Sequence, residues 1–106
     1  MKFTVVDTSC SQVGGIAATV AFLSYEEQNR PFGIIGCGCS TCTTQLVASM
    51  YFARVPVITH ASTSSQLSDR SAFPNFFRVI PPDHQLLQAL LMMLLFLNWN
   101  YCASIF

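Results

Sequence analysis

The segment that decides the fold is "FGIIGCGCSTCTTQLVASM", which spans residues 32–50. Its first residues are apolar and predict a β-strand over residues 32–36. A turn rich in glycine, cysteine, serine and threonine follows. Beyond this turn, Leu46 and Met50 recur at helical spacing and predict an α-helix over residues 41–53. A strand, a tight polar turn and a helix are therefore expected in direct succession.

The same alternation extends in both directions from this segment. Further elements are predicted as strands at residues 3–6, 55–59, 76–80 and 100–106 and as helices at residues 12–26 and 84–97. Strands that alternate with helices indicate an α/β fold, here a Rossmann-like parallel sheet with helices on both faces. Ligands of such sheets lie beyond the carboxyl ends of the strands, where helices begin. Three polar turns fall at these positions, at residues 37–41, 60–64 and 81–84.

The composition restricts the classes of partner. The chain has 106 residues, of which 52% are hydrophobic and 9% charged, and its formal net charge is zero. A typical soluble domain is about 25% charged, so we expect the rest of a protein, a partner subunit or lipid to cover much of the surface. Without net charge or a Lys/Arg cluster, nucleic acid and anionic membrane surfaces are not expected partners. The abrupt start and the apolar end predict that the chain is cut from a longer sequence.

The polar turn contains three of the five cysteines, and their spacing supports three interpretations. Cys37, Cys39 and Cys42 could bind zinc together with one of the two histidines, His60 or His84. Alternatively, Cys39 or Cys42 could be a nucleophile beside a histidine. In the third interpretation the small residues pack a tight turn and one disulfide forms. Cysteines 10 and 39 both follow predicted strands and could meet if those strands are neighbours.

The predicted C-terminal helix is unusually apolar. Its sequence "LLQALLMMLLFL", residues 86–97, contains one polar residue and is bounded by Asn98 and Asn100. A membrane span needs about 20 apolar residues, so membrane insertion is the less favoured interpretation. The pattern favours a helix that buries one face against the sheet and has a second apolar face for another contact.

Several short motifs follow one another in the last two thirds of the chain. They are Pro56, "AST" at 61–63, "LSD" at 67–69, "FP" at 73–74, "FFR" at 76–78, Pro81, Asp83 and Trp99. With these motifs, residues 36–101 resemble the ligand-binding domain of class C G-protein-coupled receptors, and the glutamate-receptor pattern aligns without gaps. Metabotropic glutamate, taste and GABA type B receptors are the most similar members. "DTSC" at 7–10 resembles the family's Asp-x-Cys more loosely.

The resemblance implies a fold and a function. The family's module is a two-lobed clamshell of the periplasmic-binding-protein type, the Venus flytrap, and residues 1–106 would be part of lobe 1. The function it implies is non-catalytic binding of an amino acid, glutamate-like, on the extracellular side of the plasma membrane. Dimers would form through the helices near 41–53 and 84–97. The alternative is a receptor guanylyl cyclase ectodomain or a solute-binding protein of the same fold. No acid–base constellation with a nucleophile points to an enzyme, and no cofactor is implied.

The resemblance also implies a ligand site. The matching residues are Ser40, Thr41, Ala61, Ser62, Thr63 and Asp83. In the family, the turn that contains Ser40 holds the α-carboxylate of an amino acid. A main-chain carbonyl at Ala61, the Thr63 hydroxyl and the Asp83 carboxylate would face the ammonium group. Asp83 as a plain helix cap, and Ser40 and Thr63 as plain turn residues, are the structural alternatives.

The cysteines are interpreted differently once the resemblance is considered. In GABA type B receptors the position of Cys39 pairs with a cysteine of the earlier turn, which implies a Cys10–Cys39 disulfide here. Cys37 and Cys42 depart from the family pattern, and neither they nor Cys102 receive a role from it. His60 replaces a common aromatic residue and is expected to be a packed side chain.

Overall fold

A computed structural model describes residues 3–99 together with Tyr101 and Ala103. In chain order, its helices and strands are α1 (Gln12–Leu23), β1 (Ile34–Ile35), α2 (Ser40–Met50), β2 (Val57–Thr59), β3 (Phe76–Arg78) and α3 (Asp83–Phe96). Short 3-10 turns occupy Glu27–Asn29 and Ser65–Ser68. The strand predicted at 100–106 lies outside the continuous range that the structure describes.

The three strands form one parallel sheet in the order β1-β2-β3. Ile34 pairs with Val57, and Val57 pairs with Phe76, so the register is continuous across the sheet. Parallel strands need crossover connections, and α2 supplies the connection between β1 and β2. The predicted α/β class with a parallel sheet is therefore confirmed.

The core lies between α2 and one face of the sheet. Strand side chains alternate between the two faces, and Val57 is 0% exposed whereas its neighbour Ile58 is 43% exposed. The buried cluster of α2 and the sheet consists of Ile34, Cys37, Cys42, Leu46, Val47, Met50, Val57, Leu67, Phe73 and Phe76, with Ala18 from α1. Burial of this cluster holds the first two polar turns at one edge of the sheet.

The other face of the sheet carries an exposed apolar row, formed by Ile35, Ile58 and Phe77. α3 does not cover this row, because none of its residues is buried. The Cα radius of gyration is 17.0 Å and the longest dimension is 59 Å, whereas a compact domain of 100 residues has a radius near ~13 Å. The prediction that α3 buries one face against the sheet is therefore wrong for the described residues.

The predicted strand at residues 3–6 is also wrong. These residues have no regular secondary structure, and Phe3 and Val5 are exposed. Their sequence has β propensity, but a strand is stable only when it pairs and packs, and β1 pairs only with β2 among the described strands. The chain instead turns sharply at Ser9 and Cys10, whose φ angles are 47° and 55°.

α1 crosses α2 at very short distance, and glycine makes this possible. Ser11 caps the N-terminus of α1, and its side chain accepts a hydrogen bond from the Gly14 N–H. One residue later, a Cβ atom on Gly15 would lie 2.7 Å from the main-chain oxygen of Cys42. Only glycine fits this close approach, so Gly15 sets the separation of the two helices.

Replacement of Gly15 by alanine tests this contact. We expect Gly15→Ala to lower the free energy of unfolding, because overpacking costs about 1–3 kcal/mol and exceeds the helix-propensity gain of at most ~1 kcal/mol. Gly38→Ala is the control, since a Cβ atom there has no neighbour within 4 Å. Denaturant unfolding of the full chain measures both variants, and equal stability of Gly15→Ala and the wild type would contradict the account.

Candidate functional site

Three turns meet at the carboxyl edge of the sheet, one after each strand, and hydrogen bonds join them. The Ser40 hydroxyl accepts a hydrogen bond from the Ser64 N–H at 3.2 Å, which links the first turn to the second. The Asp83 N–H donates to the main-chain oxygen of Thr63 at 2.9 Å, which links the third turn to the second. The turns therefore form one continuous polar surface.

Beneath this surface, a buried set of hydroxyl groups surrounds the carbonyl oxygen of Cys37. Thr59 Oγ1 lies 2.6 Å from this oxygen, Ser62 Oγ lies 3.2 Å from it and Thr43 Oγ1 lies 3.3 Å from it. Ser62 and Thr43 are 2.6 Å apart. All three side chains are buried. We call Thr43, Thr59, Ser62 and the Cys37 carbonyl the hydroxyl cluster.

The hydroxyl cluster is satisfied internally. Each hydroxyl has a single proton to donate. Thr59 donates its proton to the Cys37 carbonyl. Of the hydroxyls of Thr43 and Ser62, one donates to the other. The hydroxyl that accepts this bond donates its own proton to the Cys37 carbonyl. The carbonyl oxygen thus accepts two hydrogen bonds, which matches its two lone pairs. Thr59 Oγ1 also accepts hydrogen bonds from the N–H groups of Ala61 and Ser62, each at 3.3 Å. The cluster locks the first turn to the second.

The N-terminus of α2 opens into a polar cavity of about 400 Å³. The cavity is lined by Gln12, Ser40, Thr41, Thr44, Gln45, Ser64 and Gln66. The N-cap residue of α2, Cys39, makes no side-chain capping bond, and the first turn of the helix contains no acidic residue. Free N–H groups and the positive end of the helix dipole favour an anion at this position. The cavity is suited to a carboxylate.

The six residues that the resemblance implies have different environments. Ser40 and Thr41 share the cavity at α2, whereas Thr63 and Asp83 lie outside its lining and meet through their main chains. The side chains of Thr41 and Asp83 are exposed, so a ligand can reach them. Ser62 is 0% exposed, and its hydroxyl contributes to the hydroxyl cluster.

An arginine side chain joins the end of β3 to the second turn and to the 3-10 turn that follows it. Arg78, at the end of β3, donates hydrogen bonds to the Ser64 main-chain oxygen and to the Ser68 hydroxyl. Burial lowers the pKa of the Arg78 guanidinium, the Asp83 charge opposes this shift and the Arg70 charge adds to it. A guanidinium remains charged at neutral pH despite such a shift. The Asp83 carboxylate therefore has a permanent positive charge near it.

Several residues that build the site were not predicted from the sequence. These residues are Thr43, Thr59, Ser64 and Arg78. One signal was available: Thr59 is the last residue of a predicted strand, and Thr43 lies in the first turn of a predicted helix, where side chains face the same sheet edge. The pairing between them could not be read from the sequence.

The four described cysteines form two disulfides. Cys10 and Cys39 are joined with a Cα separation of 5.5 Å, and Cys37 and Cys42 with a Cα separation of 6.0 Å. Zinc binding and nucleophilic attack both require a thiolate. The sulfurs of these four cysteines are bonded to one another, so neither interpretation applies to them. Within the described residues, no group of three metal-ligating side chains is close enough to hold an ion. Cys102 lies outside the described residues.

The apolar helix α3 has the length of an ordinary globular helix, with 14 residues. Of the helices that the structure describes, none combines the length and the apolar character needed to cross a membrane.

Comparison with known proteins identifies the family of the chain. The family model of the receptor family ligand binding region matches residues 1–106. The chain is 33% identical over 81 residues to metabotropic glutamate receptor 8 of Homo sapiens, a match that covers 76% of the chain and 9% of that receptor. It is 30% identical over 92 residues to taste receptor type 1 member 3 of Rattus norvegicus, which covers 86% of the chain and 11% of that receptor.

The chain belongs to the receptor family ligand binding region. The resemblance to the ligand-binding domains of class C receptors is confirmed. The matches span about a tenth of the length of these relatives.

Removal of one hydroxyl tests the hydroxyl cluster. Thr59→Val keeps the side-chain shape but removes the strongest donor to the Cys37 carbonyl. A buried polar group without a partner costs about 1–3 kcal/mol, and we expect the free energy of unfolding to fall by this amount. Thr4→Val is the control because Thr4 is exposed. Urea unfolding of the full chain measures both variants. A fall in the free energy of unfolding of Thr59→Val that is no larger than that of Thr4→Val would refute the role of Thr59.

Proposed function

We propose that this chain is part of lobe 1 of the extracellular amino-acid-binding domain of a class C receptor, and that it senses its ligand without chemical catalysis. The observation that carries the proposal is the uncapped N-terminus of α2, which opens into the polar cavity beside Ser40 and Thr41. The match of the family model to residues 1–106 supports it. The alternative is a receptor guanylyl cyclase ectodomain or a solute-binding protein of the same fold, and the similarity to metabotropic glutamate and taste receptors favours the class C receptor.

The α-carboxylate of the ligand would bind at the start of α2. The main-chain N–H groups of the first turn and the Ser40 hydroxyl would donate hydrogen bonds to it. Ser40 can do this because a hydroxyl has one proton to donate, and its present bond, from Ser64 N–H, uses a lone pair. Each bond to a charged group contributes roughly 1.5–3 kcal/mol.

The ammonium group of the ligand would bind between the second and third turns. The Ala61 carbonyl and the Thr63 hydroxyl would accept hydrogen bonds from it, and the Asp83 carboxylate would supply the opposite charge. Ser62 would act indirectly, because its buried hydroxyl belongs to the hydroxyl cluster. It would position the second turn and would not touch the ligand.

One lobe would bind weakly when it is alone. Immobilisation of a ligand costs at least about 4 kcal/mol, which offsets most of the contribution of two or three wet hydrogen bonds. In the two-lobed clamshell, the second lobe would close over the ligand and exclude water, and low local dielectric strengthens hydrogen bonds. The chain alone is therefore expected to bind amino acids with a dissociation constant of about 1 mM or weaker.

Titration of the ¹⁵N-labelled chain with glycine and glutamate tests the proposed site by NMR. We expect amide shifts at residues 40–42 and at Thr63, and roughly tenfold weaker binding in Ser40→Ala and Thr63→Ala, because each loses one bond to a charged group. Ser49→Ala is the control, because Ser49 does not line the cavity and its hydroxyl bonds to the Gln45 main-chain oxygen within α2. Micromolar binding that is insensitive to Ser40→Ala and Thr63→Ala would show that the site or the protein class is wrong.

The receptor would also form a homodimer or heterodimer. The two helices predicted to form the contact differ in how much apolar surface they expose. α2 buries its core residues against the sheet, and the exposed large apolar side chains near it, Tyr51 and Phe52, lie just beyond its end. α3 buries no residue and presents leucine and methionine all round. Apolar surface of this extent marks an interaction site, so α3 would form the larger part of the contact.

A charge introduced into α3 tests the dimer contact. Leu91 is exposed in the single chain, and Leu91→Glu should shift the chain towards monomer, because a carboxylate would have to be buried in the apolar contact. Gln88→Glu adds the same charge at a position on α3 that is already polar, and it should associate like the wild type. Sedimentation velocity measures all three chains. Equal association of Leu91→Glu and the wild type would remove α3 from the contact.

A further inference from the structure

The Cys37–Cys42 disulfide closes a small covalent ring at the start of α2. The two cysteines are five residues apart in the sequence, so the ring contains only Gly38, Cys39, Ser40 and Thr41. Ser40 and Thr41 are the residues of the first turn that line the cavity. The bridge thus surrounds the segment that would hold the ligand carboxylate.

The bridge is protected from reduction. Cys42 is 0% exposed and Cys37 is 8% exposed. A reducing thiolate must attack a disulfide sulfur directly, and the burial of both residues hinders this attack. Cys10 of the other disulfide is exposed by contrast. The buried bridge has the properties of a permanent structural element and not of a redox switch.

Both ends of the ring are anchored in the core. At one end, the Cys37 carbonyl accepts the hydrogen bonds of the hydroxyl cluster. At the other end, Cys42 contacts α1, since a Cβ atom on Gly15 would lie 3.3 Å from its sulfur. A third tether, the Cys10–Cys39 disulfide, joins the middle of the ring to the N-terminal turn. The four enclosed residues therefore have little conformational freedom.

We propose that the Cys37–Cys42 bridge is a positioning element that holds the first turn of α2 in the shape that accepts the α-carboxylate of the ligand. This inference rests on the proposed function. The bridge fixes the Ser40 hydroxyl and the first N–H groups of α2 before the ligand arrives, so the ordering of this segment is completed on folding and does not oppose binding. It acts on the α-carboxylate, which all amino acids share, and it does not select among their side chains.

The test compares a variant that lacks the Cys37–Cys42 bridge with a variant that keeps the bridge but is less stable. Cys37→Ala/Cys42→Val removes the bridge and keeps a buried apolar side chain at position 42. Val47→Ala is the control, because Val47 is a fully buried residue of the same helix and its truncation leaves the ring intact. NMR titration with glycine and with glutamate gives the dissociation constants. Hydrogen exchange at Thr43, whose N–H donates to the Cys39 main-chain oxygen, reports the opening of the ring segment.

We expect the double variant to bind both amino acids roughly tenfold more weakly or worse, because the turn must then be ordered on binding. Its Thr43 amide, which bonds to the Cys39 main-chain oxygen, should exchange faster, while Val47→Ala keeps the wild-type affinity at temperatures where it is folded. Wild-type affinity and wild-type exchange in the folded double variant would overturn the inference. So would mass spectrometry that finds Cys37 and Cys42 as free thiols in the secreted chain.

If the double variant does not fold, a second variant tests the same inference. Insertion of two glycines after Gly38 enlarges the ring while both disulfides remain, and Gly38 has open space around it. The matched control is the same insertion after Ser71, in an exposed turn. Only the first insertion should weaken binding and speed exchange at Thr43; equal effects of the two insertions would overturn the inference. If no wild-type amide at residues 40–42 responds to an amino acid, the proposed function fails, and hydrogen exchange still tests the bridge.

Discussion

The convergence of three buried hydroxyl groups on the Cys37 carbonyl is the interaction on which the rest of the site depends. Thr43 belongs to α2, Thr59 ends β2 and Ser62 belongs to the turn that follows. The cluster therefore connects a helix, a strand and two turns through one main-chain oxygen. A buried carbonyl without partners is costly, so no one of these elements can shift without loss of free energy.

The cluster explains how a small sheet can hold a defined polar surface. With the Cys37 carbonyl fixed, Ser40 is placed to accept the Ser64 N–H, and the N-terminus of α2 points into the cavity. The two disulfides add covalent restraint to the same turn. The buried hydroxyl groups and the two disulfides thus all restrain the same segment, the turn between β1 and α2.

The sequence predicted the order and type of the central elements well, because hydrophobic periodicity around Leu46 and Val57 is strong and these residues are buried. It failed at residues 3–6, where β propensity has no neighbouring strand to pair with. For α3 it predicted the helix correctly but not its packing, because no residue of α3 is buried against the sheet. The candidate ligand residues came from the resemblance, and their side chains alone did not distinguish buried Ser62 from exposed Thr41. The Cys37–Cys42 bridge was not predictable because the same spacing suits zinc.

The most direct measurement of the central claim is a double-mutant cycle between Thr43 and Ser62, whose hydroxyl groups are 2.6 Å apart. The free energy of unfolding is measured for the wild type, Thr43→Val, Ser62→Ala and the double variant. Residues in one hydrogen-bond network show interaction energies of about 0.5–3 kcal/mol, and the account predicts a value in this range, with the double variant less destabilised than the sum of the single variants. Additive losses of unfolding free energy would show that Thr43 in α2 and Ser62 in the second turn stabilise the fold independently, and would contradict the account.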